Sequence, residues 1–305
     1  MHRFILFVSA ALVVSCADGE PRAVDEGPRP VLDAQPESPA PVDAPPLGID
    51  VLAEETGGAC VPTEDFERTC NGKDDDCNGI VDDVDVGKDG FCDCLGIKII
   101  GTTGSLAAST FEAWLRGKGT TSNRWLQSAG PLTKTELDGV DVVILDQLSK
   151  EFTPAEVDVL EAFVKAGGGL VAMTGYSHAG PDATHPNSVL ARLGATYDVT
   201  KKITGDITAW NAAHPIANGI SRMPFVGGYA VTPQAGFSTT VVANHQGTVP
   251  VGVAVEIGDG GRVFVWGDEW IEYDSQWASA PDVTKLWTNI FGWMSQRRCG
   301  SKGPS

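Results

Sequence analysis

The chain has 305 residues, 22 of them Lys or Arg and 40 Asp or Glu, for a formal net charge of −18. That length suffices for one or two domains with a sizeable core, and 42% hydrophobic residues with eight Trp exclude a wholly disordered or fibrous chain. The acidity argues against nucleic acid as a partner, because a phosphate backbone calls for a basic face.

The charge is uneven. Residues 16–95 hold 21 acids and five bases, whereas 96–305 hold 19 acids and 16 bases. An acidic leader therefore precedes a nearly neutral body. Residues 1–15 read as a targeting segment, with His2 and Arg3 ahead of the apolar run Phe4 to Val14. That run is too short to span a bilayer as a helix, which needs about 20 residues. Its end, Val13-Val14-Ser15-Cys16, resembles the lipobox of bacterial lipoproteins. The resemblance implies cleavage before Cys16, acylation of that residue, and an envelope location, with an outer-membrane lipoprotein the specific expectation.

Residues 16–58 read as a tether. Eight of the 19 prolines fall between Pro21 and Pro46, interleaved with acids. Proline and like charges both extend a chain, and at about 3.1 Å per residue the segment reaches roughly 130 Å.

Residues 59–95 hold five of the seven cysteines: Cys60, Cys70, Cys77, Cys92 and Cys94. With Cys16 lipidated, Cys299 completes an even six, which in an exported protein reads as three disulfides. Cys299 is expected to bridge to Cys92 or Cys94. The spacing Cys92-Asp93-Cys94 does not suit a zinc knuckle. The run from Cys70 to Asp85 reads as a calcium loop starting at Asp74. Asp74, Asp76 and Asn78 take positions 1, 3 and 5, and Gly79 takes the sharp turn at 6. Ile80 offers its carbonyl at 7, Asp82 stands at 9, and Asp85, or Asp83 in its place, closes the set. A hard cation offsets the repulsion among such carboxylates. The same run resembles the short metal-binding motif of MopE-type bacterial surface proteins. Copper is associated with some of those, but this copy lacks Met and His and its oxygens suit calcium.

From residue 96 to 299 the pattern is α/β. Ile97 to Ile100 reads as a strand and 106–117 as a helix with Leu106, Phe111 and Leu115 on one side. Val140 to Asp146 and Leu170 to Met173 are continuous apolar runs, as expected of buried parallel strands. Between them Thr153-Pro154-Ala155-Glu156 is a capping box opening a helix faced by Val157, Leu160, Phe163 and Val164. A further helix is expected over 187–193. Strands follow at 239–244, 250–257 and 262–267, the last two joined as a hairpin by Gly258-Asp259-Gly260-Gly261. A final helix starts at Asp282 with Val283, Leu286, Trp287, Ile290, Phe291 and Met294 at helical spacing. Residues 300–305 are a tail.

The fold expected is a mostly parallel, flavodoxin-like sheet flanked by helices, with a C-terminal hairpin and a disulfide-rich module in front. The segments 137–145, 160–172, 214–220 and 261–267 resemble the class I glutamine amidotransferase-like fold, including its ThuA-like and non-enzymatic relatives. In that family a Cys occupies a sharp strand-to-helix turn. The equivalent stretch here, Thr174 to Gly180, has none, which speaks against glutaminase chemistry. Ser177 is the substitute nucleophile to consider, with His178 beside it.

Loops at the carboxyl ends of the strands are the default binding mouth. They gather Thr102, Thr103, Asp146, Gln147, Tyr176, Ser177, His178, Asp268 and Glu269. The aromatic and acidic run 266–277 suits sugar stacking or a protein contact, but tryptophans filling the core edge are the more frequent arrangement and the preferred expectation. His214-Pro215 reads as a structural turn, and His185 has no evident partner. No nucleotide cofactor is expected. The leading expectation is a lipid-anchored envelope protein with a calcium-type loop and a non-catalytic domain binding protein or glycan. The alternative is an envelope hydrolase acting on sugars or amides through Ser177 or the Asp268/Glu269 pair.

Overall fold

A computed structural model describes residues 60–85, 87–175, 181–258 and 260–295, all within one compact unit, 59–305. The targeting segment, Cys16, the tether, Tyr176, Ser177, His178, Cys299 and the tail lie outside the described residues. Among those described, no helix is long and apolar enough to cross a membrane.

The body is built on an eight-stranded sheet of order β2-β1-β3-β4-β10-β9-β8-β6. Its strands are β1 (Gly96–Gly101), β2 (Thr121–Trp125), β3 (Val142–Asp146), β4 (Gly169–Met173), β6 (Ala209–Trp210), β8 (Ser238–His245), β9 (Val249–Ile257) and β10 (Gly261–Trp266). The first five in that order run parallel, and β9, β8 and β6 add an antiparallel wing. The parallel order matches the flavodoxin-like 2-1-3-4-5 arrangement, with β10 in the fifth place. Two longer strands, β5 (Ala195–Ile207) and β7 (Met223–Pro233), pair as a separate antiparallel arm.

Alternation sorts the strand residues onto two faces. Ile97, Ile99, Val142, Ile144, Val171 and Phe264 pack with α1 (Ser109–Gly117) and α5 (Asp282–Met294). Val143, Leu145, Leu170, Ala172, Val263 and Val265 pack with α2 (Pro154–Lys165) and α3 (Asn187–Leu193). Both faces are covered, which is why the parallel strands read as unbroken apolar runs. The capping box at Thr153 and Glu156 forms as expected. Helix α1 begins at Ser109 rather than at 106, because Leu106 donates its N–H to the Thr103 carbonyl in a turn. The start of α1 is held from a distance: the Asp274 carboxylate, at the head of α4 (Asp274–Ser279), accepts from Ser109 Oγ at 2.6 Å and Thr110 N–H at 2.8 Å.

The cysteine-rich region is tied to the body through Phe91. This ring is fully buried, edge-on to Trp114 at 5.4 Å and to Phe291 at 5.2 Å. Gly292 on α5 permits the approach, since a Cβ there would stand 2.6 Å from the Gly90 carbonyl oxygen. Disulfides join Cys60 to Cys77 and Cys70 to Cys94. The second bond removes Cys94 as a partner for Cys299. Cys92 is also disulfide-bonded, and its partner lies outside the described residues.

Candidate functional site

Carboxylates of the acidic loop accept nearby backbone N–H bonds. Asp74 accepts backbone N–H bonds from Asn78 at 3.0 Å and Gly79 at 2.8 Å. Asp82 accepts from Asn71 and Gly72, and Asp85 from Asp89 and Gly90. These three organise the turns of a segment with little apolar core, as Asp readily does. Asn78 uses Oδ1 to accept the Ile80 N–H at 2.8 Å, and its Nδ2 donates to Asp76 and Asp83.

Asp76, which also accepts the Asn78 N–H at 3.1 Å, and Asp83 converge with Glu67, a residue outside the motif. One oxygen from each of the three lies within 4.8 Å of the others. Glu67 is only 2% exposed. Its Oε1 accepts the Asp75 N–H at 2.6 Å, while its Oε2 is buried with no hydrogen-bond partner. Burial raises the Glu67 pKa, the Asp75 N–H works against that, and the charges of Asp75, Asp76 and Asp83 add to the rise. Three carboxylate oxygens in a disulfide-bonded loop, one of them buried and unsatisfied, fit a hard divalent cation of the calcium type. Asp76 and Asp83 meet, Glu67 joins them, and Asp74, Asp82 and Asp85 face backbone amides.

At the carboxyl ends of the parallel strands lies a cavity of about 160 Å³, lined in part by Thr102, Gln147, Ser149, Thr174 and Gly175. Thr102 and Gln147 were expected here; Thr103 sits beside the cavity rather than in its lining. The described hydroxyls are all engaged by groups other than a base. Thr102 Oγ1 accepts from Gly104 N–H at 2.9 Å, Ser149 Oγ donates to Gln127 at 3.2 Å, and Thr174 Oγ1 donates to the Ala183 carbonyl at 3.3 Å. Gln147 follows β3 with φ +33°, a strained value for a non-glycine residue and a recurrent feature of functional sites. His185 is buried nearby, its Nδ1 2.8 Å from the Leu148 carbonyl. A carbonyl only accepts, so Nδ1 carries the proton there.

Beneath the mouth are four fully buried acids: Asp146, Asp268, Glu269 and Glu272. Asp268 has a structural task. It caps the turn Glu269–Glu272 through the Trp270 N–H and accepts from the Val226 and Gly227 N–H groups of β7. Burial pushes its pKa up to about 7 against those three donors. Glu269 lies behind Gly175, where an added Cβ would collide with its carboxylate. Asp146 and Glu272 share one cation. Arg124 Nη1 donates to Asp146 Oδ2 at 2.7 Å, Nη2 to Glu272 Oε2 at 3.3 Å, and Nε to Glu112 Oε1 at 3.3 Å. Burial holds the Glu272 carboxyl well above the usual range, and the Asp146 charge and a hydrogen bond with it add to this, against the pull of Arg124.

Sequence reading missed Arg124, Glu272 and Tyr273, and noted His185 without assigning it a partner. The strand that carries Arg124, Thr-Ser-Asn-Arg-Trp, lies at the sheet edge and shows no apolar run. Glu272 and Tyr273 sat in the aromatic and acidic run without a role of their own. The tryptophans of that run follow the core-edge expectation rather than the stacking one. Trp266 is fully buried against Trp210 and Phe225, and Trp277 packs on Phe111 and Trp114 with its Nε1 donating to Ile271. These rings fill the core edge. His214 caps its own turn, accepting the Ile216 N–H at 3.3 Å, with its ring against Trp293.

No family model matches the sequence, and no curated protein matches it. Solved structures do resemble the fold. The mmIFT52 N-terminal domain aligns at TM-score 0.54 and 16% identity, over 65% of this chain and 97% of that one. A cytoplasmic protein from Salmonella typhimurium LT2 aligns at TM-score 0.52 and 17% identity, over 65% and 98%. A ThuA-like protein from Bacteroides uniformis ATCC 8492 lies further off, at TM-score 0.47 and 16% identity over 67% and 92%. At identities this low, the first two likenesses are of fold alone.

Proposed function

We propose that this chain is a lipid-anchored envelope protein that holds calcium in its disulfide-bonded module. In this reading its α/β domain is of the amidotransferase-like type and binds a protein or glycan without catalysing a reaction. The observation that carries the cation reading is the convergence of Glu67, Asp76 and Asp83, with Glu67 Oε2 buried and unsatisfied. Bound there, calcium supplies two positive charges to a cluster that otherwise repels itself. The lipobox-like Val13 to Cys16 and the proline-rich tether support the envelope location. The mouth supports ligand binding. Its described lining offers amide and hydroxyl groups suited to a hydroxyl-bearing or peptide ligand, and its hydroxyls bond to groups that are not bases. The pairing of Asp268 with Glu269 as hydrolytic carboxylates fits less well, since Asp268 is engaged by three backbone N–H groups.

Calorimetric titration of the full mature chain with calcium chloride tests the cation reading. One site is expected, with a dissociation constant on the order of 10⁻⁴–10⁻³ M as in extracellular calcium modules. Glu67→Gln and Asp83→Asn should each weaken it, while Asp138→Asn, in the body, should not. No heat at millimolar calcium, or binding unchanged in both variants, rejects the reading. For the anchor, Cys16→Ser should abolish fatty-acid labelling and release the chain from the membrane fraction. A serine-reactive probe that labels the wild type but not Ser177→Ala would overturn the non-catalytic reading.

A further inference from the structure

The three carboxylates of the cation cluster come from two stretches of chain. Asp76 and Asp83 belong to the acidic loop, and Glu67 to the segment 60–69 ahead of it. Glu67 Oε2 is buried there without a hydrogen-bond partner. Among the described residues 60–69, Glu67 alone is buried, while Val61 and Phe66 are exposed. Apolar burial therefore does little to fix this segment. Its ties to the loop are polar and covalent. Asp75 supplies the polar ones. Its carbonyl accepts the Thr63 N–H at 2.8 Å and the Glu64 N–H at 3.1 Å, and its Oδ1 accepts from Thr63 Oγ1 at 2.9 Å. Its own N–H donates to Glu67 Oε1 at 2.6 Å. Thr63 is exposed, so water competes for its bonds.

The covalent tie is the disulfide between Cys60 and Cys77. Cys77 directly follows Asp76, and its backbone sits at φ +58°. A non-glycine residue keeps that left-handed conformation only where its surroundings over-determine it. The disulfide does so from one side. On the other, the Asp74 carboxylate accepts the Asn78 and Gly79 N–H groups. One bond thus sets both where Glu67 enters and how Asp76 is presented.

We propose that the Cys60–Cys77 disulfide is a redox control on the cation site: intact, it holds Glu67 beside Asp76 and Asp83, and reduced, it releases the segment 60–69 and lowers the affinity for calcium. The proposal rests on the calcium reading above. Reduction adds two electrons and two protons and leaves two thiols. Repulsion among the three carboxylates then favours their separation, and Cys77 is free to leave the left-handed region. Asp83 keeps its place, because the neighbouring Asp82 accepts the Asn71 and Gly72 N–H groups beside the second disulfide, Cys70–Cys94. The site loses Glu67 while Asp76 and Asp83 remain in the loop. The coupling is reciprocal. A cation that binds better to the oxidised form makes the disulfide harder to reduce by the same factor.

Calorimetric titration with calcium chloride compares the oxidised full mature chain with the double variant Cys60→Ser, Cys77→Ser. The variant should bind at least about tenfold more weakly, within the worth of closing a loop of this length. Equal affinity overturns the redox control and leaves the calcium reading standing, whereas no binding by the wild type rejects both. A second measurement needs no cysteine variant. The wild type is equilibrated in dithiothreitol redox buffers, in which dithiothreitol gives up two electrons and two protons and closes to its cyclic disulfide. Alkylation and peptide mapping then read the Cys60–Cys77 bond by itself. In about 10 mM calcium chloride its reduction midpoint should move several-fold toward higher dithiothreitol, relative to potassium chloride of matched ionic strength. Glu67→Gln should shrink that shift. A midpoint that calcium does not move, in a wild type that binds calcium, overturns the proposal.

Discussion

Gln147 donates from its side-chain amide to the Tyr273 hydroxyl, across 126 positions of sequence, and so ties the end of β3 to the turn after β10. Tyr273 is 1% exposed, and burial first, then the Asp146 charge, raises its pKa, so the hydroxyl stays neutral. Tyr273→Phe keeps the ring and deletes the acceptor. The expected cost is about 1 kcal/mol, the net worth of one such hydrogen bond, measured by chemical denaturation at pH 7. A cost near zero would mean that the bond does not hold the two loops.

Asp268 sets a pH dependence. Its folded pKa is raised to about 7, against an unfolded value near 3.9. Between those values the native state keeps a proton that the unfolded chain has released. Stability therefore falls as pH rises from about 4 to about 7, by at most about 4 kcal/mol from this group. Asp268→Asn loses one of the carboxylate oxygens that cap the turn and starts less stable at pH 4. It should lose this portion of the slope. Denaturant midpoints at pH 4, 5.5 and 7 compare the two chains, and parallel profiles would refute the assignment.

Gly175 is required by contact rather than by conformation. It has no positive φ, but a Cβ would run into the Glu269 carboxylate. Gly175→Ala should destabilise the fold by about 1–3 kcal/mol, the range for overpacking. Paired with Glu269→Ala the loss should be much less than additive. Full additivity in that double-mutant cycle would show that the two residues do not touch.

Phe91 carries the junction between the cysteine-rich region and the body. Phe91→Ala removes a fully buried ring from between Trp114 and Phe291. A loss of about 3–5 kcal/mol is expected, seen as a lower melting temperature for the whole chain in one transition. A separate early transition, with the main one unmoved, would mean that the two parts melt independently.

Much of the fold was legible before any coordinates. Val142 to Asp146 and Gly169 to Met173 stand out as unbroken apolar runs because both faces of a parallel strand are covered. The capping box at Thr153 and Glu156, helix α3 over Asn187–Leu193 and the apolar stripe of α5 are also local signals. The edge strand β2 and the β5–β7 arm were not legible. An edge strand shows one half-exposed row of mixed residues, and β5 exposes much of its length.

The candidate sites divide in the same way. The mouth was placed by a rule about strand ends, and Thr102 and Gln147 are found in its lining. The acids of the loop were identifiable from their spacing, but the approach of Glu67 was not. Asp74, Asp82 and Asp85 face nearby amides, and Glu67 enters from before the motif.

The sequence by itself determined the buried parallel strands and the helices that cover them, the acidic leader and the disulfide-rich character of residues 59–95. Each of these follows from short-range periodicity, composition or residue type, whose energetics act within a few neighbours. Only the tertiary structure decided which charges meet. Arg124 and Glu272 stand 148 positions apart, and Glu67 reaches Asp83 across a disulfide-bonded turn. Such contacts have no local signature. They exist because sheet closure and core burial stabilise the chain enough to hold carboxyls where water no longer screens them.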